Sequence, residues 1–532
     1  MNQELLSINK ASQWASNYLD RPVTPSNISY LLQYAKIKKY LDEQRKIKIN
    51  LDELKQYYDE HFVKKQESWK NKLGTDLNWS LSFSHLRESD TTKHVHRLHP
   101  YKGKFIPQLV EYFLDSHLND YKKKIFFKQG DIILDPFMGS GTTLIQSSEL
   151  GLHSIGIDIS DFNCLISKVK LNNYDFSKLG DTLNEALTPT LSFSNEVFDD
   201  SFDLELKERL NIFNEKHFPN PEFKNKIRKG EIEEGKYGEN KLKQFFKKNN
   251  KFFTKNGTKD KTILLDEKDM GKFLSKWFSK RVRQELFHYL RLINKEKDEK
   301  IQNIMRIILS RTARSCRATT HYDLATLREP QTRPYYCGKH KKICTPINTI
   351  KSHLRRYTKD TIRRLEEFSK LKKQVFSNVI HADSRETDIF DEIKKQNSEF
   401  YELLIKKKIN GVFTSPPYVG QIDYHEQHAY AYELFTIPRK DEKEIGSLYK
   451  GQGKQAKEEY IEGISKVFKN ISKFVKDEGD FFIVANDKYN LYPRIAEKSG
   501  LRIVEKFKRP VLNRTERDRQ PYAEIIFHMK KI

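Results

Sequence analysis

The sequence predicts an α/β fold: a seven-stranded, mostly parallel sheet with helices on both faces, interrupted by a large insertion and preceded by a helical N-terminal region. Three observations predict it. Seven short apolar runs, most of them ending in small or acidic residues, recur between residue 131 and the C-terminus. Helical patterns separate most of these runs, as expected where strands are buried on both faces of a parallel sheet. The series breaks once, between Ile159 and Asn378, for about 200 residues. A crossover needs only about a dozen residues, so this stretch is an inserted domain and not a loop.

Taken in order, residues 1–90 read as helical. "SNISYLLQYAKIKKYL" opens with Ser26 or Asn27 as a helix cap and continues with apolar residues at helical spacing. Then come the runs "DIILDPF" and "HSIGIDI", and after the insertion "SNVIHADS", "NGVFTSPPY" and "GDFFIVAND". "LRIVEKFKRP" and "AEIIFHMKK" close the series as a hairpin. The chain thus divides into 1–90, 91–180, 181–375 and 376–532. Within the insertion, "KQFFKKNNKFFTKNGTKDK" interleaves bases with phenylalanines. It reads equally as a nucleic-acid surface or as a solvated helical face over core aromatics.

Bulk properties narrow the class. A chain of 532 residues is too long for one ordinary domain and suggests two to four. Lys+Arg 97 against Asp+Glu 73 leaves a net charge of +24, which points to a polyanionic partner, nucleic acid first. A lysine-rich composition bias is the alternative. Four cysteines in this length do not make a disulfide framework, so a reducing, cytoplasmic setting is expected. The N-terminus lacks an apolar h-region, and no stretch approaches 18 apolar residues, so neither a signal peptide nor a membrane span is expected.

Two motifs carry chemistry. In "ILDPFMGSGTT" (133–143) a strand ends at Asp135, and Gly139, Ser140 and Gly141 turn the chain into a helix beginning at Thr142 and Thr143. Glycines there let a ligand approach the backbone, and the helix N-terminus offers free N–H groups. About 18 residues later, "GIDIS" sets Asp158 at the end of the next strand, where an acid commonly holds ribose hydroxyls. In "GVFTSPPYVG" (411–420) two prolines end a strand abruptly, flanked by a hydroxyl at Ser415 and a ring at Tyr418.

"DPFMGSGTT" together with "TSPPY" resembles the amino-group DNA methyltransferases that use S-adenosylmethionine, and the serine form of the second motif is typical of their cytosine-N4 branch. The resemblance covers roughly 91–180 and 376–532. It implies a Rossmann-like class I methyltransferase sheet, with 91–180 the cofactor-binding half, 376–532 the catalytic half and 181–375 a target-recognition domain. It implies cofactor contacts at Asp135, Pro136, Phe137, Gly139, Ser140, Gly141, Thr142, Thr143 and Asp158. "HRLHPYKGKFIPQLVEYF" is similar to the segment that closes the cofactor pocket in this family, which brings in His99, Lys104 and Phe105. "HADSRE" is similar to the acidic loop near the adenine, which adds Asp383 and Ser384. "NRTERDRQPYAEIIFHMKK" is similar to the family's closing hairpin.

The resemblance also gives the second motif a role. The exocyclic amine of cytosine is conjugated with its ring and is a poor nucleophile. With the base flipped out of the duplex, Ser415 and the carbonyl of Pro416 would accept the two amine protons, and Tyr418 would stack on the base. Pro416 and Pro417 would keep the acceptors aimed. The resemblance implies double-stranded DNA as substrate and leaves open a separately encoded restriction endonuclease as partner. Adenine N6 is the alternative target atom; an RNA substrate and a non-catalytic DNA-binding relict are further readings. Cytosine C5 is excluded, because that chemistry needs a cysteine nucleophile, usually after proline. The cysteines here follow Asn163, Ser315, Tyr336 and Ile343.

A third cluster stands apart. "YYCGKHKKIC" sets Cys337, His340 and Cys344 in a C-x2-H-x3-C pattern, and Cys316, 21 residues upstream, would complete a Cys3His zinc set. His321 competes for the fourth place, and free buried thiols are the other reading. The surroundings, "RSCRATTHYD" and "HLRRYTKDTIRR", are strongly basic.

Overall fold

The computed structural model describes residues 4–19, 23–33, 36–83, 86, 88–101, 103–119, 121–255, 271–321, 329–511 and 521–532. Outside them fall residues 256–261 of the lysine–phenylalanine stretch, Tyr322 and Asp323 beside the cysteine cluster, and 512–520 of the closing hairpin.

Each of the seven apolar runs is a strand of one sheet. They are β1 (Ile132–Asp135), β2 (His153–Asp158), β3 (Ser377–His381), β4 (Ile409–Thr414), β5 (Val475–Ala485), β6 (Leu501–Pro510) and β7 (Ala523–Lys531). The strand order is β6-β7-β5-β4-β1-β2-β3. Five strands, β3-β2-β1-β4-β5, pair in parallel, and β7 runs antiparallel to both β5 and β6. Burial on both faces explains the continuous apolar runs: in β1, Ile132 and Leu134 join one hydrophobic cluster while Ile133 joins the opposite one. The order reverses at β1, which has β2 on one side and β4 on the other. In doubly wound sheets ligands bind at such a reversal, outside the carboxyl ends of the strands.

On one face α1 (Pro107–Leu114), which carries Pro at its first position, packs Leu109, Val110 and Phe113 against Ile133, Phe413 and Phe482. α2 (Thr142–Leu150) and α3 (Asp161–Leu171) continue that layer. The segment after α3 adds to the same layer. α4 (Phe176–Val197) is followed by an outer pair, α5 (Ser201–His217) and α6 (Glu234–Lys248), and then by α7 (Lys280–Lys295), α8 (Glu299–Ser315) and α9 (Lys351–Ser369). One continuous apolar cluster runs from Leu144 and Phe162 through Leu183, Leu286 and Ile308 to Leu365. Ile308 has no exposed surface, so truncating it to Ala would cost about 2–5 kcal/mol. α5 and α6 carry a separate cluster around Phe213 and Phe245. The opposite face is covered by α10 (Ile389–Gln396), α11 (Ser398–Lys407), α12 (Lys454–Ser472) and α13 (Tyr492–Ser499), packed through Ile393, Leu404, Ile464 and Ile495.

The N-terminal region is not purely helical. Leu5–Leu6, Ile47–Asn50 and Tyr40–Leu41 pair as a small antiparallel sheet beside helices Ile8–Tyr18, Pro25–Gln33 and Leu51–Tyr58, around their own core. Two-residue strands carry too little alternation to be seen in sequence. The Pro25–Gln33 helix is capped at Thr24, not at Ser26 or Asn27. The Thr24 hydroxyl accepts from the Asn27 N–H at 3.3 Å, and the Asn27 side chain accepts from the Thr24 N–H at 2.8 Å. That is a capping box with Pro at the first helical position.

Candidate active site

A cleft of about 900 Å³, open to solvent at its mouth, lies at the carboxyl ends of β1, β2, β3 and β4. Its lining comes from both sequence motifs: Pro136, Phe137, Gly139, Ser140 and Thr142 from the glycine loop, and Ser415 and Pro417 from the loop after β4. Asp158 lines it from the end of β2, Asp383 and Ser384 from the loop after β3, and Lys104 and Phe105 from the segment before α1.

The glycine loop is held open by its backbone. Gly139 and Gly141 have φ of +50° and +77°, where a side chain is strained. A Cβ on Gly139 would lie 2.9 Å from the Tyr101 hydroxyl, and one on Gly141 would lie 2.8 Å from Ser167 Oγ. The Gly139 N–H donates to Asp158 Oδ2 at 2.8 Å, and the Ser160 N–H donates to Oδ1 at 2.8 Å. Burial pushes the Asp158 carboxyl up to about 6 in spite of these donors.

Asp135 does not line the cleft. It is buried at the end of β1 and acts as a strut between the two loops. Its Oδ2 accepts from the Thr143 hydroxyl at 2.7 Å, and its Oδ1 accepts from the Thr414 hydroxyl at 2.6 Å and the Phe137 N–H at 3.1 Å. Thr414 immediately precedes Ser415, so one carboxylate joins the turn that opens α2 to the start of the second loop. Burial raises Asp135 to about 6 as well. Thr143 and Gly141 share this supporting layer. His99 is also buried behind the cleft, edge-on to Phe162 and His428, and its Nε2 meets the Tyr430 hydroxyl at 3.4 Å. Desolvation pushes His99 well below the usual imidazole range, so it is neutral.

In the second loop, Pro416 is buried and Tyr418 is half-buried. Neither lines the cleft. The Tyr418 hydroxyl donates to Glu524 Oε1 at 3.0 Å, and Glu524 Oε2 accepts from Arg509 Nη1 at 2.8 Å. Arg509 Nε in turn donates to the Leu81 carbonyl at 2.7 Å. The loop's far end is tied down where the Gly420 N–H donates to the Gly446 carbonyl at 2.9 Å. Asp383 accepts from Arg385 Nε at 2.9 Å. Burial would raise its pKa, but that guanidinium and the Arg385 N–H outweigh it and hold the carboxyl below its ordinary value. Ser384 donates to the Pro136 carbonyl at 2.7 Å and so joins the acidic loop to the glycine loop.

Several cleft residues are absent from the sequence analysis: Tyr101, Asn163, Tyr424, His425, Lys443 and Glu444. Tyr101 stands inside the quoted "HPYKGKF" stretch, and Asn163 is five residues past Asp158, so both had a local signal. His425 and Glu444 had none. They meet across 19 residues, where Glu444 bonds the His425 ring and accepts the His425 backbone N–H at 2.8 Å. The cysteine cluster lies elsewhere, in the segment between α8 and α9. His321, Cys337, His340 and Cys344 converge there. Cys316 is instead buried in the large helical cluster, with Thr349 O its nearest acceptor at 4.0 Å.

Known proteins give the same picture. A family described as DNA methylase matches residues 7–169, starting within the N-terminal region and ending on α3. The type II methyltransferase M.MjaII of Methanocaldococcus jannaschii is 52% identical over 531 residues, covering 99% of this chain and 97% of its own. M.MvaI of Kocuria varians is 29% identical over 129 residues, 24% of this chain and 25% of its own. M.BsoBI of Geobacillus stearothermophilus is 32% identical over 99 residues, 19% of this chain and 16% of its own.

Proposed function

We propose, from the premise that this chain belongs to the N6/N4 amino-group DNA methyltransferase family, that it is a type II enzyme methylating the exocyclic N4 amine of cytosine within a specific duplex sequence. The observation that carries the reading is the pairing of β1 with β4. Ile133 is opposite Gly411 and Leu134 opposite Val412, so the glycine loop and Ser415 emerge side by side at one cleft although 276 positions separate Gly139 from Ser415.

S-adenosylmethionine, the family's methyl donor, would fit the cleft beside Gly139, where a Cβ would collide with Tyr101, another residue of the lining. When bound, it supplies a methyl group already activated by the sulfonium. Asp158 in its ionised form accepts from the ribose hydroxyls. Asp383 and Ser384 would hold the adenine end, and Lys104 and Phe105 would close the near wall. Ser415 Oγ and the Pro416 carbonyl accept the two amine protons, which turns the nitrogen lone pair toward the methyl group. The new N–CH3 bond would form as the donor's S–CH3 bond breaks to leave a neutral thioether, and the excess proton on the nitrogen would pass to solvent water. The half-buried Tyr418 ring, anchored outside the cleft lining by its hydroxyl on Glu524, would stack on the flipped base, a contact worth about 1–3 kcal/mol. The protein's contribution is position and electrostatics.

Serine at position 415 favours cytosine N4 over adenine N6. The +24 charge supports a duplex DNA partner, with 181–375 as the target-recognition domain. A cognate restriction endonuclease on a separate chain completes the proposed restriction–modification pair. The test is nucleoside mass spectrometry after incubation with labelled S-adenosylmethionine and duplex DNA, with RNA in parallel. N4-methylcytosine is expected, with nothing at C5. N6-methyladenine alone would overturn the target atom but leave the enzyme class. Label confined to RNA would overturn the substrate.

A further inference from the structure

We propose that His321, Cys337, His340 and Cys344 bind one structural zinc ion, which fastens the outer helices of the 181–375 segment to its inner ones. The donor atoms of these four residues all lie within 4.8 Å of one another. Two thiols and two imidazoles, with no carboxylate among them, form a soft donor set suited to zinc.

Two edges of the cluster have the length a zinc tetrahedron requires. Zinc bonds of about 2.3 Å to sulfur and about 2.0–2.1 Å to nitrogen give an S···N edge of about 3.5 Å. Cys344 Sγ lies 3.5 Å from His340 Nδ1, and Cys337 Sγ lies 3.7 Å from His321 Nδ1. The local backbone is that of a metal-binding hairpin. Strands Tyr335–Cys337 and Lys342–Cys344 pair antiparallel, and the turn between them ends at Lys341 with φ of +55°. The His340 N–H donates to Cys337 Sγ at 3.4 Å, which stabilises the sulfur as a thiolate. Both sulfurs are shielded, Cys337 being 1% and Cys344 8% exposed. The Tyr335 hydroxyl lies 2.7 Å from His321 Nδ1 and holds that ring in place. Coordination through this nitrogen requires the hydroxyl to release it.

The four ligands join parts of the protein that otherwise have separate cores. His321 follows α8, whose Ile304 and Ile308 belong to the large cluster beside the sheet. The hairpin belongs to the outer cluster. Ile343 packs with Phe213 and Phe245 and exchanges hydrogen bonds of 2.9 and 3.0 Å with Asn214 of α5. Lys341 pairs with Glu234 of α6 at 2.5 Å, and Tyr336 lies over Gly238, where a Cβ would come within 2.5 Å of its ring. A zinc ion here ties the two clusters together with four short bonds. The alternatives are a purely hydrogen-bonded thiol–imidazole cluster and a Cys337–Cys344 disulfide.

Full-length protein purified anaerobically without chelator should carry about one zinc per chain by elemental analysis. Exchange to cobalt(II) should give the intense visible bands of a tetrahedral site with sulfur ligands. His321→Ala and Cys344→Ala should each lower bound zinc at least tenfold, whereas Cys316→Ala should retain it. Should the alanine variants misfold, the cobalt spectrum of the unmodified protein still decides between metal and hydrogen-bonded cluster. Zinc-free protein, a Cys337–Cys344 disulfide in peptide mapping, or loss of zinc in Cys316→Ala with retention in His321→Ala would each overturn the assignment.

Discussion

The two loops that face each other across the cleft are held in opposite ways. Apart from one distant tie from Ser384 to the Pro136 carbonyl, the glycine turn itself is fixed mainly from nearby in sequence. Asp158, 19 residues on, accepts its backbone N–H, and Tyr101 covers it where a side chain on Gly139 would collide. The Ser415–Tyr418 loop is fixed from far away. Tyr418 is tied to Glu524, 106 residues later, and that acid to Arg509 and through it to Leu81. Asp135 joins the two, accepting from Phe137 and Thr143 on one side and from Thr414, just before Ser415, on the other. A loop that binds with its main chain needs the right backbone conformation, which a few local residues can impose. A loop that must aim a hydroxyl, a carbonyl and a ring needs those groups braced, and braces come from wherever the fold brings a polar side chain.

The largest expected effect breaks the local side of this contrast. Gly139→Val puts a β-branched residue at φ +50° and against Tyr101. Left-handed backbone strain of about 1–2 kcal/mol and overpacking of about 1–3 kcal/mol act together. S-adenosylmethionine affinity should fall by more than about a hundredfold while the circular dichroism spectrum is kept. Wild-type affinity by calorimetry would refute the loop assignment.

Next comes the distant side. Tyr418→Ala should lower methyl transfer by up to about a hundredfold through lost stacking, with S-adenosylmethionine affinity unchanged. Tyr418→Phe keeps the ring and loses only the bond to Glu524, worth about 1 kcal/mol, or roughly fivefold. A wild-type rate for Tyr418→Phe in single turnover would remove the hairpin brace from the account, and equal rates for Tyr418→Ala and Tyr418→Phe would remove the stacking.

The smallest effect sharpens the local side. Asp158 is raised to about 6 by burial. The carboxylate that accepts two ribose hydroxyls is the ionised form, so donor affinity should be flat above pH 7 and fall through pH 6, by about tenfold at pH 5. Protein stability runs the other way, because a raised carboxyl favours the protonated folded state at low pH and loses that advantage as pH rises through 6. Asp135 titrates in the same range but does not line the cleft. Asp158→Asn should therefore abolish the pH slope of binding, and a slope that survives in that variant would assign it to another group.

Much of this was legible before the fold. All seven strands were, the inner parallel ones because a strand buried on both faces is continuously apolar, and so were the glycine turn and the proline loop, whose residue types impose their own backbone. Cys337, His340 and Cys344 were legible from spacing within one hairpin. The fourth member of that cluster was not: Cys316 and His321 are both plausible by separation, and only the path of the chain after α8 brings His321 in and buries Cys316 elsewhere. The N-terminal sheet was hidden by strands of two residues, and the His425–Glu444 pair by the absence of any periodic relation between its members.

The sequence by itself determined the reaction class, because the conformations that bind a methyl donor and aim a target amine are local and need particular residues in short order. Tertiary structure decided which of those residues meet the cleft and which support it. Asp135, Thr143 and Tyr418 carry the motif as visibly as Gly139 and Ser415 do. Their side chains turn instead toward one another, Thr414 and Glu524. The physical reason is that a buried carboxylate or hydroxyl must find hydrogen-bond partners. Those partners come together through β1 beside β4, an adjacency no local pattern encodes, whereas β6 beside β7 was already readable as a closing hairpin.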